Sequence, residues 1–353
     1  MYDKQHADCH QYPPRTISST YIYKFVERTP SITASPPKLI EIPRVQQCTK
    51  VKIEKWFNLL YDTLRTYRIS RENIWNVDET SLQMVQCKML ALHPTDTPAP
   101  LLPQIPQQGN ATLLCAVGSD GFPLQSHLIW PLKTTPTEFL HLSRYDVIVH
   151  CYGKGWISSS IFQKIMIEHI FPGCRRKMSL TAQKDDWALI ILDGHPTRRN
   201  IAVIEFAIVH IIHILVIPPH CTYVLQPQDS VVFATLKSAS QRSFVTPNPL
   251  NACSYRWAFA NALPPALAAA FHTKVIRASF QKAGIDPLNK TPVLDHCRRI
   301  YPLFDQQSEE DDDTIRGMPR ETAPTGGDTM CSESSTESTD PFTSGEDRSL
   351  SLR

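Results

Sequence analysis

The sequence predicts an α/β protein built on a mixed sheet that is covered by helices on both faces. Apolar stretches of strand length alternate with stretches of helical periodicity, and two of the strand-like stretches, 187–192 and 211–217, are apolar almost throughout. Such runs are typical of strands buried on both faces. A small helical segment precedes the predicted sheet. An acidic tail follows it from residue 305, and its few large apolar residues predict disorder.

The elements follow from hydrophobic periodicity and from turn residues. Residues 50–68 carry apolar side chains at helical spacing and predict an amphipathic helix before the first strand. Gly118 to Gly121 is a strong hairpin signal between the second and third strands. Five prolines within 91–108 predict a loop between the first and second strands. The predicted strands are 74–85, 111–117, 124–132, 187–192 and 211–217.

Helices are predicted between and after the later strands. Ser158 is a suitable N-terminal cap for the first of them. The predicted helices are 158–171, 200–209 and 229–244, followed by a weaker helical region that ends near Gly284. Three meandering strands, then helix, strand, helix, strand and helix, is the element order of the ribonuclease H-like fold. The sequence therefore predicts that fold.

Charge is distributed unevenly along the chain. The formal net charge is only +2, but residues 305–353 hold 13 acidic and 4 basic residues, which leaves +11 on residues 1–304. A basic body with an acidic tail favours a polyanionic partner and a tail that competes with it. The alternative is an ordinary soluble surface.

Cysteine usage and hydropathy exclude several classes of protein. The ten cysteines include no Cys-x-x-Cys pair, which argues for reduced thiols in an intracellular compartment and against a zinc finger. The longest apolar run, 201–219, is interrupted by Glu205, His210 and His213 and is too broken to span a bilayer. The first ten residues do not resemble a signal peptide. A membrane partner is therefore not expected.

Three aspartates stand where carboxylates meet in a sheet of this kind. Asp78 and Asp193 each end an apolar strand-like stretch, and Asp229 opens a helix-like one. Carboxylates gathered in this way can hold two divalent metals about 4 Å apart for phosphodiester chemistry. Each aspartate taken alone could equally cap a helix or solvate a loop. The ordered set of three favours the metal site.

The surroundings of these aspartates resemble a known family. The motifs are Asn76-Val77-Asp78-Glu79-Thr80, Leu192-Asp193-Gly194-His195, Pro218-Pro219-His220-Cys221-Thr222 and Leu225-Gln226-Pro227-Gln228-Asp229. In this order they resemble the DDE superfamily endonuclease domain, and more specifically the pogo, Tigger and jerky transposases and their relative centromere protein B. The resemblance runs from about residue 21 to 289. The 35 residues between Asp193 and Asp229 are similar to the separation in that group.

The resemblance implies an activity, a cofactor and a partner. Asp78, Asp193 and Asp229 would be the catalytic residues and would bind two Mg²⁺ or Mn²⁺ ions, with Asp78 bridging both. DNA would be the partner, the nucleus the location, and a homodimer is left open. His195, His220 and Lys237 lie near the predicted rim and are candidates for contacting nucleic acid. Each is also compatible with a plain surface role.

Glu79 and three departures from the family pattern bear on this site. Glu79 follows Asp78 in a strand, so it is expected on the opposite face and in a structural role. Arg198 and Tyr223 stand where the family commonly has histidine, and Gln228 stands where it often has leucine. The alternative function is therefore a non-catalytic DNA- or chromatin-binding protein of transposase descent. A decaying element fragment is a third interpretation.

The resemblance also predicts the domain organisation. Residues 21–70 would be the remnant of a helix-turn-helix module with a linker helix, and 71–245 the endonuclease domain. Residues 246–304 would form a helical extension. The flanking segments 1–20 and 305–353 are expected to be disordered.

Overall fold

The structure is a computed structural model of the 353-residue chain. It describes residues 19–31, 47–82, 111–153, 155–178, 186–198, 200–245, 252–300 and 304–306. The predicted loop over 91–108, almost all of the acidic tail and residues 1–18 lie outside these ranges. Ser19 and Thr20, which were expected in the disordered leader, already belong to the first helix.

The described strands form one six-stranded mixed sheet in the order β4-β3-β2-β1-β5-β6. Strands β1, β2 and β3 form an antiparallel meander, and β5 and β6 continue parallel to β1. This order confirms the predicted ribonuclease H-like arrangement. The strands are β1 (Ile74–Leu82), β2 (Ala111–Gly118), β3 (Ser126–Trp130), β4 (Val147–Cys151), β5 (Ala188–Leu192) and β6 (Ile212–Val216).

The sequence analysis missed one strand. β4 lies at the edge of the sheet, parallel to β3. Only Val147 among its five residues is fully buried. A short edge strand that is mostly half-buried gives a weak alternation signal, which explains why it was not predicted.

Helices cover both faces of the sheet, so the prediction of a doubly covered sheet is confirmed. One core contains alternate residues of β1 and β5 packed against α2 and α6 to α10, and the other contains the intervening residues packed against α3 to α5. The helices are α1 (Ser19–Arg28), α2 (Lys50–Thr66), α3 (Ser159–Ile165), α4 (Phe171–Met178), α5 (Ile201–Val209), α6 (Thr222–Leu225), α7 (Phe233–Ser243), α8 (Ala252–Ala270), α9 (Thr273–Lys282) and α10 (Thr291–Ile300).

Helix α2 shows how the sequence specifies these elements. The Thr49 hydroxyl accepts a hydrogen bond from the backbone N–H of Lys52 at 3.3 Å and caps the helix. Ile53, Phe57 and Leu60 are buried on one side of it. Each such side chain contributes about 1.5–3 kcal/mol when it is fully removed from water. The helix therefore packs its apolar side against the core, as its periodicity predicted.

The hairpin between β2 and β3 is confirmed at the predicted residues. The backbone N–H of Gly121 donates to the carbonyl of Gly118 at 2.9 Å. Gly121 has a φ of +91°, and a Cβ at this position would lie 2.5 Å from a side-chain carbon of Thr273. A larger residue would meet both a backbone penalty and a clash, so glycine is required here.

Two helical predictions need correction. The helix predicted over 158–171 continues to Met178, because a π-helical turn, Met166–Ile170, joins α3 to α4. The weak helical region between Arg256 and Gly284 is divided between two separate helices, α8 and α9, and α10 follows as a further helix that was not predicted individually. Among the described residues, no helix is both long and apolar enough to cross a membrane.

Candidate active site

The pairing of β1 with β5 places Asp78 and Asp193 at the same level of the sheet. Asn76 and Ile191 are register partners in this parallel pair. Asp78 and Asp193 each lie two residues further along. Because side chains alternate along a strand, Asp78 also lies on the same face as Asn76. The two aspartates therefore stand side by side where β5 ends.

A buried amide cluster fixes the third aspartate beside β1. The Asn76 side chain donates to the carbonyl of Ile191 and to the side-chain oxygen of Gln226, both at 3.1 Å. It accepts from the backbone N–H of Gln228 at 3.2 Å. The Gln228 side chain donates in turn to the backbone carbonyls of Asn76 and Cys115.

This cluster determines where the third aspartate lies. Asn76, Gln226 and Gln228 are fully buried. The π-helical turn Gln228–Val232 is thus anchored to β1, and it carries Asp229 at its second position. Gln228, a departure from the family pattern, holds this turn in place instead of displacing it.

The Asp78 carboxyl lies within electrostatic range of both other aspartates. Asp78 is 7% exposed, and its pKa is raised well above the usual range, first by burial and then by the charges of Asp229 and Asp193. Hydrogen bonds from the backbone of Glu79 and from the Gln226 side chain oppose this rise. Asp229 has a larger effect than Asp193. The structure thus brings all three predicted aspartates into one electrostatic cluster.

Asp193 has a partner that the sequence analysis did not predict. The Nε of Arg198 donates to the Oδ1 of Asp193 at 3.0 Å. A terminal nitrogen of the same guanidinium lies 2.8 Å from the Oε2 of Glu79. The Arg198 side chain is only 3% exposed, and its guanidinium carbon lies 4.5 Å from the ring centre of Phe162. One buried cation therefore neutralises both Glu79 and Asp193.

Glu79 lies where its place in the strand predicted. Its neighbours Asp78 and Thr80 alternate with it along β1. The contact with Arg198 places it toward the face covered by Phe162 and α3. The predicted position of Glu79 on the opposite face is confirmed, and its structural role stays a prediction.

The three predicted nucleic-acid contacts are distributed around this edge. His195 is exposed, and its Nδ1 lies 2.8 Å from the Thr197 hydroxyl. His220 is half-buried and has a φ of +65°. Lys237 is exposed on α7, about two helical turns beyond Asp229. Their roles remain predictions.

The fit of a divalent metal differs between the aspartates. Carboxylate oxygens are the ligands that Mg²⁺ prefers, and the buried, mutually repelling pair Asp78 and Asp229 would gain from a cation. Asp193 fits less well because its Oδ1 already accepts from Arg198. In the part of the chain that the structure describes, no group of three or more His, Cys, Asp or Glu side chains is placed to hold a metal ion.

Comparison with known families gives a match to part of the chain. Residues 108–255 match the family described as DDE superfamily endonuclease. The matched segment includes Asp193 and Asp229, whereas Asp78 precedes it. Residues 108–255 are thus similar to a DDE superfamily endonuclease domain. No curated protein matches the sequence.

The solved structures to which the chain is similar include several of Mos1 transposase. One is a pre-cleavage Mos1 transpososome, with 13% identity and a TM-score of 0.44 over 74% of this chain and 71% of that chain. Another is the Mos1 mariner paired end complex with Mn, with 13% identity and a TM-score of 0.44 over 72% and 71%. Because these scores are below 0.5, no residue role is transferred from these structures.

Two features of the site were absent from the sequence prediction. Asn76 could have been noticed, because it precedes Asp78 by two residues and so shares its face. The link between Arg198 and Glu79 spans more than a hundred residues of sequence. It depends on α3 bringing Phe162 beneath the guanidinium. No local pattern signals such a contact.

Proposed function

We propose that the protein is a transposase-derived DDE endonuclease-domain protein that binds DNA and cleaves phosphodiester bonds. The observation that supports this proposal is the β1–β5 register, which brings Asp78 level with Asp193, together with the effect of the Asp229 and Asp193 charges on Asp78. The family match supports it, and so does the excess of basic residues over residues 1–304. The relationship to the pogo, Tigger and jerky transposases and the location in the nucleus are proposed from the sequence motifs.

In this proposed activity, the residues of the site would have distinct roles. Asp78 and Asp229 would hold a divalent ion, Mg²⁺ or Mn²⁺, and Asp193 would complete the ligand set. When bound, such ions polarise the phosphodiester and stabilise the leaving oxygen. The Asn76–Gln226–Gln228 cluster would keep Asp229 against β1. His195, His220 and Lys237 would contact the phosphate backbone at the rim.

The test is nicking of supercoiled DNA by the purified full chain in Mg²⁺ or Mn²⁺. We expect weak nicking without sequence preference, because only residues 21–32 resemble the end of a DNA-reading module. Asp78→Asn and Asp193→Asn should abolish it. The matched control is Asp62→Asn, which changes an exposed aspartate on α2. Nicking that survives Asp78→Asn would contradict the proposal.

A second candidate is a non-catalytic DNA- or chromatin-binding protein of transposase descent. The observation that favours it is the buried ion pair between Asp193 and Arg198, which engages one of the three carboxylates. DNA binding that weakens with salt, together with no detectable Mn²⁺ binding, would support this alternative. Binding of Mn²⁺ that is lost in Asp78→Asn would support the endonuclease.

A further inference from the structure

Three free cysteine thiols meet in one core of the molecule. Cys48, Cys221 and Cys297 are each fully buried and belong to the same apolar cluster. The Cys48 thiol makes side-chain hydrogen bonds to the thiols of both Cys221 and Cys297. Cys48 precedes α2, Cys221 directly precedes α6, and Cys297 lies on α10. The three thiols are therefore brought together from distant parts of the chain.

Ion pairs show independently that the start of α2 lies beside α10. The Asp305 carboxylate lies 3.9 Å from the Nζ of Lys50 and accepts a hydrogen bond from the Nε of Arg298 at 3.0 Å. Lys50 follows Cys48 by two residues, and Arg298 directly follows Cys297. The closeness of these two cysteines is thus a consequence of how the two helices pack.

The hydrogen bonds give the two cysteines different chemistry. The bond with Cys48 lowers the pKa of Cys297, burial opposes this, and the Tyr223 hydroxyl at 4.0 Å lowers it further. Hydrogen bonds with Cys221 and Cys297, followed by burial, raise the pKa of Cys48. The thiolate is the form of cysteine that attacks an oxidant. Cys297 is therefore the nucleophile, and Cys48 is a neutral thiol beside it.

We propose that Cys48 and Cys297 form a redox-sensitive pair that hydrogen peroxide converts into a disulfide. The Cys297 thiolate attacks one oxygen of the peroxide, and the O–O bond breaks. Cys297 becomes a sulfenic acid, and the released hydroxide takes up a proton to become water. The Cys48 sulfur then attacks the Cys297 sulfur, the S–O bond breaks, and the hydroxyl leaves with the Cys48 proton as water. Two thiols are oxidised, and one peroxide is reduced to two molecules of water.

The disulfide would join the start of α2 to α10. All six strands of the sheet lie between Cys48 and Cys297 along the chain. A cross-link that closes so long a loop restricts the unfolded chain far more than the folded one, so it should stabilise the fold. The midpoint of urea unfolding should rise by at least about 1 M on oxidation and should return when dithiothreitol is added.

The pairing is tested by peptide mapping of the full chain after treatment with hydrogen peroxide. The remaining free thiols are blocked with N-ethylmaleimide in denaturant, and the chain is digested with trypsin without reduction. Trypsin places Cys48 in peptide 45–50 and Cys297 in peptide 291–298. Mass spectrometry should find these two peptides joined, and dithiothreitol should separate them.

One thiol sets the dose of peroxide, and two variants serve as controls. The exposed Cys253 shows by its own oxidation that the peroxide has reacted. Cys48→Ser should lose both the joined peptides and the shift in urea midpoint, and its Cys297 sulfenic acid should be trapped by dimedone. Cys174→Ser changes a cysteine that is equally buried in the other core, so it should behave as the wild type does.

The outcomes decide the inference without reference to DNA or to a metal ion, so it stands apart from the proposed function. Joined peptides 45–50 and 291–298 in the wild type and in Cys174→Ser, but not in Cys48→Ser, support it. A chain in which Cys253 is oxidised while Cys297 keeps its free thiol overturns it. A bond from Cys48 to any other cysteine overturns the pairing. The wild-type map needs no substitution and decides the question even if Cys48→Ser does not fold.

Discussion

The two sides of the acidic site differ in how their charge is compensated. On one side, Asp78 is buried beside Asp229, and the site keeps a carboxylate whose pKa is raised by burial and by its neighbours. On the other side, Asp193 and Glu79 share the buried guanidinium of Arg198. The first arrangement is electrostatically unfavourable and would be relieved by a cation from solution. The second already contains its cation.

This difference teaches that three carboxylates in one motif are not equivalent ligands. The sequence order of the aspartates predicts where they lie, but the availability of each depends on what packs against it. A carboxylate without a nearby cation is stabilised when a metal ion binds, whereas a carboxylate that already has a cation gains less from the metal. Removing single charges on each side should therefore have effects of opposite sign.

The largest effect is expected from the paired side. Arg198→Gln should lower the free energy of unfolding by about 2–3 kcal/mol, because it leaves two carboxylates without their cation. This is below the value for a fully buried pair, since Glu79 and Asp193 are 31% and 24% exposed. Urea unfolding measures it. Arg144→Gln, at an exposed arginine, should stay within about 0.5 kcal/mol of wild type.

A buried cluster of three histidines tests the same effect of charge compensation for groups whose charged form is a cation. His127 is 1% exposed, and its Nδ1 lies 3.0 Å from the Nε2 of His150. His169 lies close to both rings. Burial, followed by the charges of His150 and His169, lowers the pKa of His127 to about 3. Burial, followed by the charges of His169 and Lys164, lowers the pKa of His150 to about 4.

Stability should therefore fall as the pH drops below about 6.5. Below this pH, His127 binds a proton in the unfolded chain but not in the folded chain, so protonation favours unfolding. Between pH 6.5 and 5 this single histidine should reduce the unfolding free energy by about 1.5 kcal/mol. Unfolding in urea across this range measures the slope. His127→Gln should flatten it, whereas His195→Gln, at an exposed histidine, should not.

Neutralisation of Asp78 should give a gain in stability. Asp78→Asn should stabilise the protein near pH 7, because the amide is uncharged and burial and the neighbouring carboxylates disfavour the charged form of Asp78. The folded-state pKa of Asp78 is raised, so its contribution to stability is lost as the pH rises above its usual value. The Asp78→Asn variant should not show this loss of stability with rising pH.

Asp193→Asn is the matched substitution on the paired side. It removes a carboxylate that Arg198 holds, so it should destabilise the protein by about 1 kcal/mol. Opposite signs for the two Asp→Asn variants, measured by urea unfolding at one pH, would confirm the comparison. A loss of stability in both variants would contradict the account of Asp78 as an uncompensated acid.

The sequence predicted the fold better than it predicted the site's interactions. Strands β1, β2, β3, β5 and β6 were all predicted from apolar runs and turn residues, and the order of elements then restricted the topology. The aspartates were found because strand ends and helix starts are local features. The contact between Glu79 and Arg198 was not found, since it arises only when β1, β5 and α3 pack together. Sequence motifs indicate where the aspartates lie in the fold, whereas the partner of each charge depends on tertiary packing.

The smallest effect is expected at the rim of the site, where Lys237 is exposed on α7. Lys237→Ala should weaken DNA binding by less than about threefold and reduce the slope of log affinity against log salt by about one, because a single phosphate contact is lost. Lys274→Ala is the matched control. This exposed lysine follows Thr273, which packs against Gly121 in the hairpin between β2 and β3. Fluorescence anisotropy with a labelled duplex at several salt concentrations measures both variants. Equal slopes of log affinity against log salt for the two variants would mean that DNA does not approach the acidic edge along α7. Lys237 would then not be a DNA contact.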